Sequence, residues 1–379
     1  MRKSIALQAP YLVYLLLVLA LLVCVLRLGW AAAWQGLAIP SLLPPFADLR
    51  TVQAGLSAMA RGLDPQVVNP GDPWGRPMNY PSVWLGIARV LHWEVERNYL
   101  LFAGACAAAF VACCWDLIRR WPSWWTVAVA VSGAPALLVE RGNNDSVIFV
   151  LLYLACIVAR PVFAVLLPLA TLLKLYPLVA LPAFAERRNW PAVALAGLGC
   201  GLAVAGLAGE LRLIRGATPA AANMSFGLPV YSFGLSLAGI TLSPLALGLG
   251  MAAAAVAVRR LCGAALEAEG AALPERRLFV AGTAIIVATS VLGVNWDYRL
   301  SFLLLCMPLL ARLRSVPLAI GLRVGILLAC NQPWLELSMG MAGYGLNLAA
   351  KALLPVLLAP LAIAALPREG LGHPARQSQ

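Results

Sequence analysis

Charged residues are scarce in this chain. Asp, Glu, Lys and Arg make up 12% of its 379 residues, whereas 62% are hydrophobic, and the mean hydropathy is +0.85. A soluble globular domain has about 25% charged residues, which cover its surface. The scarcity excludes a cytosolic enzyme, a disordered chain and a collagen-like chain. It leaves an integral membrane protein made of many helices.

Histidine and lysine are nearly absent as well. The two histidines, His92 and His373, lie far apart in the chain, so we expect no histidine-based triad or metal site. With only three lysines, arginine supplies nearly all of the formal net charge of +12. The arginines form small groups at the ends of apolar runs, as topology-setting charges do. No contiguous basic face with interleaved aromatics indicates nucleic acid, which we exclude as a partner.

Motifs for metals, nucleotides and serine chemistry are also lacking. None of the nine cysteines has the spacing of a zinc or haem site, and eight of them lie inside apolar runs as small fillers. The chain has neither a Walker-type glycine-rich loop nor a Gly-x-Ser-x-Gly elbow. We therefore expect no metal and no cofactor.

Long apolar runs are what the chain has in abundance, and a spanning helix needs about 20 such residues. The first run is too long for a signal-peptide core and lacks a convincing cleavage site. We predict one all-α transmembrane bundle over residues 1–366, with about 10–12 spans, and a disordered cytoplasmic tail at 367–379. The predicted spans are 10–30, 98–118, 122–139, 145–160, 190–208, 231–258, 278–294, 299–314, 316–332 and 346–366.

Basic residues predict the orientation of the bundle. Arg2 and Lys3 place the N-terminus in the cytoplasm, so segment 34–97 becomes a first extracytoplasmic loop, partly helical. If the proline-rich segment 161–185 crossed once, the arginine pairs at 187–188, 259–260 and 276–277 would all face outwards. We therefore predict a broken, re-entrant or double half-span element there, with Lys174 at its outward apex and both termini in the cytoplasm.

Polar clusters fall on the outer side of this predicted topology. Polar groups near a membrane are costly and indicate function by default. Each cluster also has a structural explanation, since Asp48 could cap a helix and Asp297 could pair with Arg299 in a turn. Their convergence on one face favours function. The candidate site residues are Asp48, Tyr80, Arg141, Asn143, Asn144, Asp145, Lys174, Tyr176, Asp297 and Arg299.

At these residues the chain resembles a polytopic glycosyltransferase of the GT-C superfamily. It is most similar to glycosyltransferase family 87, which includes polyprenol-phosphate-mannose-dependent mannosyltransferases, and two motifs also resemble the catalytic subunit of GPI mannosyltransferase I. The resemblance covers about residues 10–310. In one respect the chain departs from the family: its first extracytoplasmic loop has a single aspartate, Asp48, instead of an Asp-x-Asp pair, which weakens the case for a metal. The matching motifs are Asp48, Gly62-Leu63-Asp64-Pro65, Tyr80-Pro81, Arg141-Gly142-Asn143 and Lys174-Leu175-Tyr176-Pro177.

The resemblance implies a GT-C-like fold in a bacterial-type plasma membrane and a polyprenyl-phosphate sugar as donor. The sugar, by implication mannose, would pass with inversion to a lipid or glycan acceptor outside the cytoplasm. Asp48 would be the general base. The departing phosphate would be stabilised by Lys174, Arg141 or Arg299, in that order of preference. Tyr80 and Asn144 would hydrogen-bond sugar hydroxyls.

Two other classes of membrane protein stay open. A transporter or lipid flippase also has broken helices with ionisable residues, and a structural or assembly protein would need no particular placement of Asp48 and Lys174. The charges collect at the outer edge of the predicted bundle instead of its midplane, and no matched half is visible in the sequence. These features favour the enzyme.

Overall fold

The computed structural model describes residues 2–366 apart from 159–160, 187–188, 219–222, 264–267 and 269. The predicted tail at 367–379 and the arginine pair at 187–188 lie outside the described residues. The described chain is a helical bundle with a single two-stranded sheet, so the prediction of an all-α membrane protein is confirmed in outline.

The helices follow one another with short connections. Two 3-10 segments, Tyr176–Phe184 and Asp297–Cys306, interrupt the α-helical order. The strands β1 (Ser225–Phe226) and β2 (Asn295–Trp296) pair antiparallel, with Ser225 opposite Trp296. The α-helices are α1 Arg2–Leu28, α2 Trp30–Gly36, α3 Ala47–Ala60, α4 Val83–Val90, α5 Glu96–Arg120, α6 Trp124–Ala130, α7 Gly133–Arg141, α8 Asp145–Ile157, α9 Phe163–Leu173, α10 Trp190–Leu207, α11 Leu211–Ala217, α12 Leu228–Leu237, α13 Pro244–Leu261, α14 Leu273–Leu292, α15 Met307–Leu310, α16 Val316–Cys330, α17 Gln332–Met339 and α18 Met341–Ala365.

Five of the described helices are long and apolar enough to cross a membrane: α1 from Ala9, α5, α10, α13 and α18. A sixth span results if α16 and α17, which meet at a bend of 81°, count as one. Each of the two runs predicted as single spans, 122–139 and 231–258, is divided into two helices: α6 and α7 in the first, α12 and α13 in the second. Pro135 cannot continue the helix before it, and Gly239 and Pro244 end α12 and begin α13.

The segment 161–185 is interrupted near its middle. Helix α9 ends at Leu173, and the chain resumes at Tyr176 as a 3-10 segment that contains Pro177 and Pro182. Proline lacks the amide hydrogen that a continuous α-helix needs, which accounts for the break. The freed carbonyl of Leu173 accepts a hydrogen bond from the Trp84 indole at 3.0 Å. Lys174 therefore lies at the break and faces Asn143, Asn144 and Asp145 at the beginning of α8.

Helix α3 carries Asp48 in its first turn, but Asp48 does not cap it. The N-cap residue is Phe46, and no side chain caps the helix, so the capping interpretation of Asp48 is wrong. Contacts with α5 fix the first turn of α3 instead. Arg50 forms an ion pair with Glu96 at 2.5 Å, and the hydroxyl of Tyr99 donates to the Phe46 carbonyl at 2.6 Å. Asp48 is thereby left available for contacts with other parts of the chain.

Gly142 allows the two polar loops to touch. It ends α7 in the left-handed conformation (φ +55°), which glycine adopts without strain. A Cβ atom placed on it would lie 2.6 Å from the Cβ of Phe46, closer than van der Waals contact allows. This close approach brings Asn143, the next residue, to within hydrogen-bonding distance of Asp48.

We expect Gly142→Ala to destabilise the protein by about 2–4 kcal/mol, because backbone strain adds to the clash with Phe46. Thermal unfolding in detergent measures the change. Gly86→Ala in α4 is the matched control, since no atom lies within 4 Å of a Cβ there and alanine favours the helix. Equal melting temperatures for the two variants would contradict the role given to Gly142.

Candidate functional site

Two adjoining hollows carry most of the candidate residues. The Asp48 hollow has a volume of 380 Å³ and is lined by Asp48, Arg76 and Arg141 among others. The Lys174 hollow, of 300 Å³, is lined by Lys174, Tyr176 and Arg299 among others. The hollows share a wall, which is formed by Asn79, Tyr80, Trp296 and Tyr298.

A buried carboxylate pairs with both cations of the Lys174 hollow. Asp145 is fully buried; its Oδ1 lies 2.5 Å from the Nζ of Lys174, and its Oδ2 lies 3.1 Å from the Nε of Arg299. The hydroxyl of Tyr176 donates to the same carboxylate at 2.8 Å. Two positive charges thus share one negative charge, so one unit of positive charge remains at the wall of the hollow.

Asn143 connects the two hollows from behind their walls. Its amide nitrogen donates to Asp48 Oδ2 at 2.6 Å and to the Tyr80 hydroxyl at 3.2 Å. Its amide oxygen accepts from the Nζ of Lys174 at 3.3 Å and from the backbone amide of Asp145 at 2.9 Å. An amide both donates and accepts, so one neutral side chain holds Asp48 and Lys174 in fixed relation.

Asp48 has a second partner in Arg76. The guanidinium lies 3.4 Å from Asp48 Oδ1 and forms a closer pair with Asp72 at 3.0 Å. Burial alone would raise the pKa of the Asp72 carboxyl, but the hydrogen bonds and charge of Arg76 outweigh it and lower the pKa. Burial raises the pKa of Tyr80 well above its usual value, so its hydroxyl stays protonated.

Arg141 lies in the Asp48 hollow, away from the other two candidate cations. Its Nε is 3.2 Å from Oε2 of Glu140, and its terminal nitrogen donates to the Pro40 carbonyl at 3.3 Å. Glu140 is fully buried and also accepts from the backbone amide of Leu42 at 2.8 Å. Arg141 therefore belongs to the surroundings of Asp48, and it does not share the carboxylate that holds Lys174 and Arg299.

Three candidates predicted to bind substrate are buried behind the hollows. Asn143, Asn144 and Asp145 are each 0% exposed, and none of them lines either hollow. Asn144 accepts from Lys174 at 2.8 Å, as its neighbours do. Each of the three accepts a hydrogen bond from Lys174, which does line a hollow. In this structure the three residues contact side chains that line the hollows and do not reach the hollows themselves.

Asp297 belongs to a different cluster from the one expected. Instead of pairing with Arg299, its Oδ2 lies 2.7 Å from the Nζ of Lys351 on α18. The same ammonium donates to Gln332 at 2.6 Å and to the carbonyl of Ser225 at 3.2 Å, all three contacts being buried. The cluster joins β1, the start of the 3-10 segment and helices α17 and α18. Since Trp296 and Tyr298 flank Asp297 in the chain, the cluster anchors the part of the shared wall that they form.

Several residues of the site were not among the candidates. Arg76, Trp74, Trp296 and Tyr298 line the hollows, and Lys351 holds Asp297 between Trp296 and Tyr298. Arg76 follows Asp72 by four residues, a spacing that could have indicated the pair. A single lysine inside a long apolar run also indicates a buried partner. Among the described residues, no group of three or more His, Cys, Asp or Glu side chains could hold a metal ion.

Comparison with known proteins adds nothing to this geometry. No family model matches the chain, no curated protein matches it, and no solved structure matches it. The chemistry of the site is therefore inferred from its residues.

We expect Lys351→Met to destabilise the protein by about 3–5 kcal/mol, because it leaves the buried Asp297 carboxylate unpaired. The double variant Lys351→Met with Asp297→Asn should recover most of that loss, since no uncompensated charge remains. Thermal unfolding of the purified variants measures both. A double variant no more stable than the single one would show that the charge pair is not what holds this cluster.

Proposed function

We propose that the protein is a membrane glycosyltransferase that moves a hexose from a polyprenyl-phosphate donor to a lipid or glycan acceptor on the extracytoplasmic side of a bacterial-type plasma membrane. Mannose is the first sugar to test. One observation carries the proposal. The carboxylate of Asp48 and the cations Lys174 and Arg299 line adjoining hollows that share one aromatic wall.

The carboxylate supplies the base that sugar transfer needs. The acceptor hydroxyl, bound in the Asp48 hollow, attacks the anomeric carbon of the donor, and its proton passes to Asp48. The bond from that carbon to the phosphate oxygen breaks, and its electron pair leaves with the phosphate. Inversion requires the attacking and the departing oxygen to lie on opposite sides of that carbon, and we assign them to different hollows.

The Lys174 hollow suits the departing phosphate. A polyprenyl-phosphate sugar is a phosphodiester with one negative charge, which matches the one unit of positive charge left by Lys174, Arg299 and Asp145. Fixed cations stabilise charge that develops on the leaving group without having to reorganise. Leu292 and Val294 line the same hollow and Leu292 is 76% exposed, so an isoprenoid chain has an apolar path beside the phosphate.

We assign the binding of the sugar hydroxyls to the residues that line both hollows. Asn79 and Tyr80 offer hydrogen-bonding groups, and Trp296 and Tyr298 offer aromatic rings, a combination of apolar faces with a few placed polar groups. Tyr80 keeps its predicted role in binding sugar, whereas Asn144 acts through Lys174.

Asp48→Asn should lower the rate of sugar transfer by about 10²–10⁴-fold, because the amide cannot accept the proton. The assay supplies radiolabelled polyprenyl-phosphate mannose and membrane lipid extract to the purified protein and measures labelled product. Donor affinity should change little, since the phosphate binds in the other hollow.

Asp64→Asn is the matched control for this experiment. Asp64 lies in the same loop, is exposed and lines neither hollow. Equal product from Asp48→Asn and the parent protein would remove Asp48 as the base. No product with any polyprenyl-phosphate sugar would reject the glycosyltransferase and favour the transporter.

A further inference from the structure

Helix α11 lines both hollows with one of its faces. Ala217 lines the Asp48 hollow, and Ile214 lines the Lys174 hollow together with Thr218, the residue after the helix. These positions are three and four residues apart, a spacing that places side chains on the same face of a helix. Among the described residues, α11 is the only α-helix that lines both hollows.

The same helix is the outermost part of the wall. None of its seven residues is buried, and Arg212 and Arg215 on its remaining surface are exposed. Within the part of the chain that the structure describes, no side chain from Leu211 to Ala217 forms a hydrogen bond or an ion pair. An element with so little buried surface separates from the protein at a low cost in free energy. Something outside α11 must therefore hold it over the hollows.

Glu210, the residue before α11, ties the helix to the segment that carries Tyr80. Its carboxylate accepts hydrogen bonds from the backbone amide of Ser82 at 2.7 Å, from the Ser82 hydroxyl at 2.5 Å and from the side-chain amide of Gln66 at 3.1 Å. The same amide of Gln66 donates to the carbonyl of Tyr80 at 3.1 Å. One charged acceptor thus joins α11 to the wall that the hollows share.

Building on the proposed function, we propose that α11 is a lid over both hollows and that Glu210 is the positioning residue that keeps it closed. The open lid admits donor and acceptor, and the closed lid places the apolar side chains of Ile214 and Ala217 between the hollows and water.

Exclusion of water protects the donor. A water molecule could otherwise replace the acceptor hydroxyl. Its oxygen would attack the anomeric carbon, one of its protons would pass to Asp48, and the phosphate would leave with the electron pair of the broken bond, which yields free sugar. Closure of the lid therefore favours transfer over hydrolysis of the donor.

The partition between transfer and hydrolysis tests the lid. The full chain in lipid nanodiscs receives labelled polyprenyl-phosphate mannose and membrane lipid extract, and free mannose and glycosylated product are measured together. Glu210→Ala removes the acceptor, Glu210→Gln keeps one accepting oxygen, and Ser82→Ala removes one donor. Glu94→Ala is the matched control, because Glu94 is exposed and lines neither hollow.

We expect Glu210→Ala to raise the ratio of free mannose to product by about 10–100-fold, because the hydrogen bonds that hold the closed state are lost. Glu210→Gln and Ser82→Ala should raise the ratio less, and Glu94→Ala should leave it unchanged. The ratio does not depend on how much of the protein is folded. A ratio in Glu210→Ala equal to that of the parent would overturn the inference.

Labelling of introduced cysteines separates the lid from the proposed function. Leu42→Cys reports on the Asp48 hollow and Val294→Cys on the Lys174 hollow. A charged methanethiosulfonate reagent labels them without any substrate, and peptide mass spectrometry distinguishes each site from the nine native cysteines. Ser57→Cys, at an exposed position outside both hollows, is the control for labelling.

If no sugar is transferred or released, the transferase proposal fails. Labelling at both positions that is about tenfold faster when Glu210→Ala is added would still assign the lid, provided that labelling of Ser57→Cys does not change. An unchanged rate at either Leu42→Cys or Val294→Cys would reject a lid over both hollows.

Discussion

A single buried carboxylate organises the site. Asp145 has no exposed surface, and a carboxylate in that position must be paired to be tolerated. Its partners come from the break at Lys174 and from the 3-10 segment at Arg299, 29 and 154 residues further along the chain. The need to neutralise Asp145 therefore draws three distant elements together.

Asn143 keeps the opposite charges of the site apart. Asp48 and Lys174 do not pair with each other: Asp48 pairs with Arg76, and Lys174 pairs with Asp145. The amide contacts both instead, donating to the carboxylate and accepting from the ammonium. In the proposed reaction, the carboxylate and the cation act at neighbouring points of one displacement at a sugar carbon.

The sequence was sufficient for the class of fold and for the location of the polar clusters, because apolar runs and charges within them follow directly from the cost of burying polar groups. It was insufficient for the pairings. Asp297 and Arg299 are two residues apart, and in a 3-10 helix with three residues per turn such side chains point in different directions. Asp297 therefore pairs with Lys351 and Arg299 with Asp145. In α18, Asn347 and Lys351 are four residues apart and therefore share one buried face, but that spacing does not reveal which distant acid the lysine meets.

The contact between Gly142 and Phe46 restricts how the two loops that carry these residues can change in sequence and length. Because a hydrogen atom is all that fits between them, neither loop can lengthen or change course without displacing the other. Related chains that keep the Asp48–Asn143 contact should therefore keep both the glycine at position 142 and the aromatic residue at position 46. Paired conservation of these two positions would identify such chains even where overall sequence similarity is low.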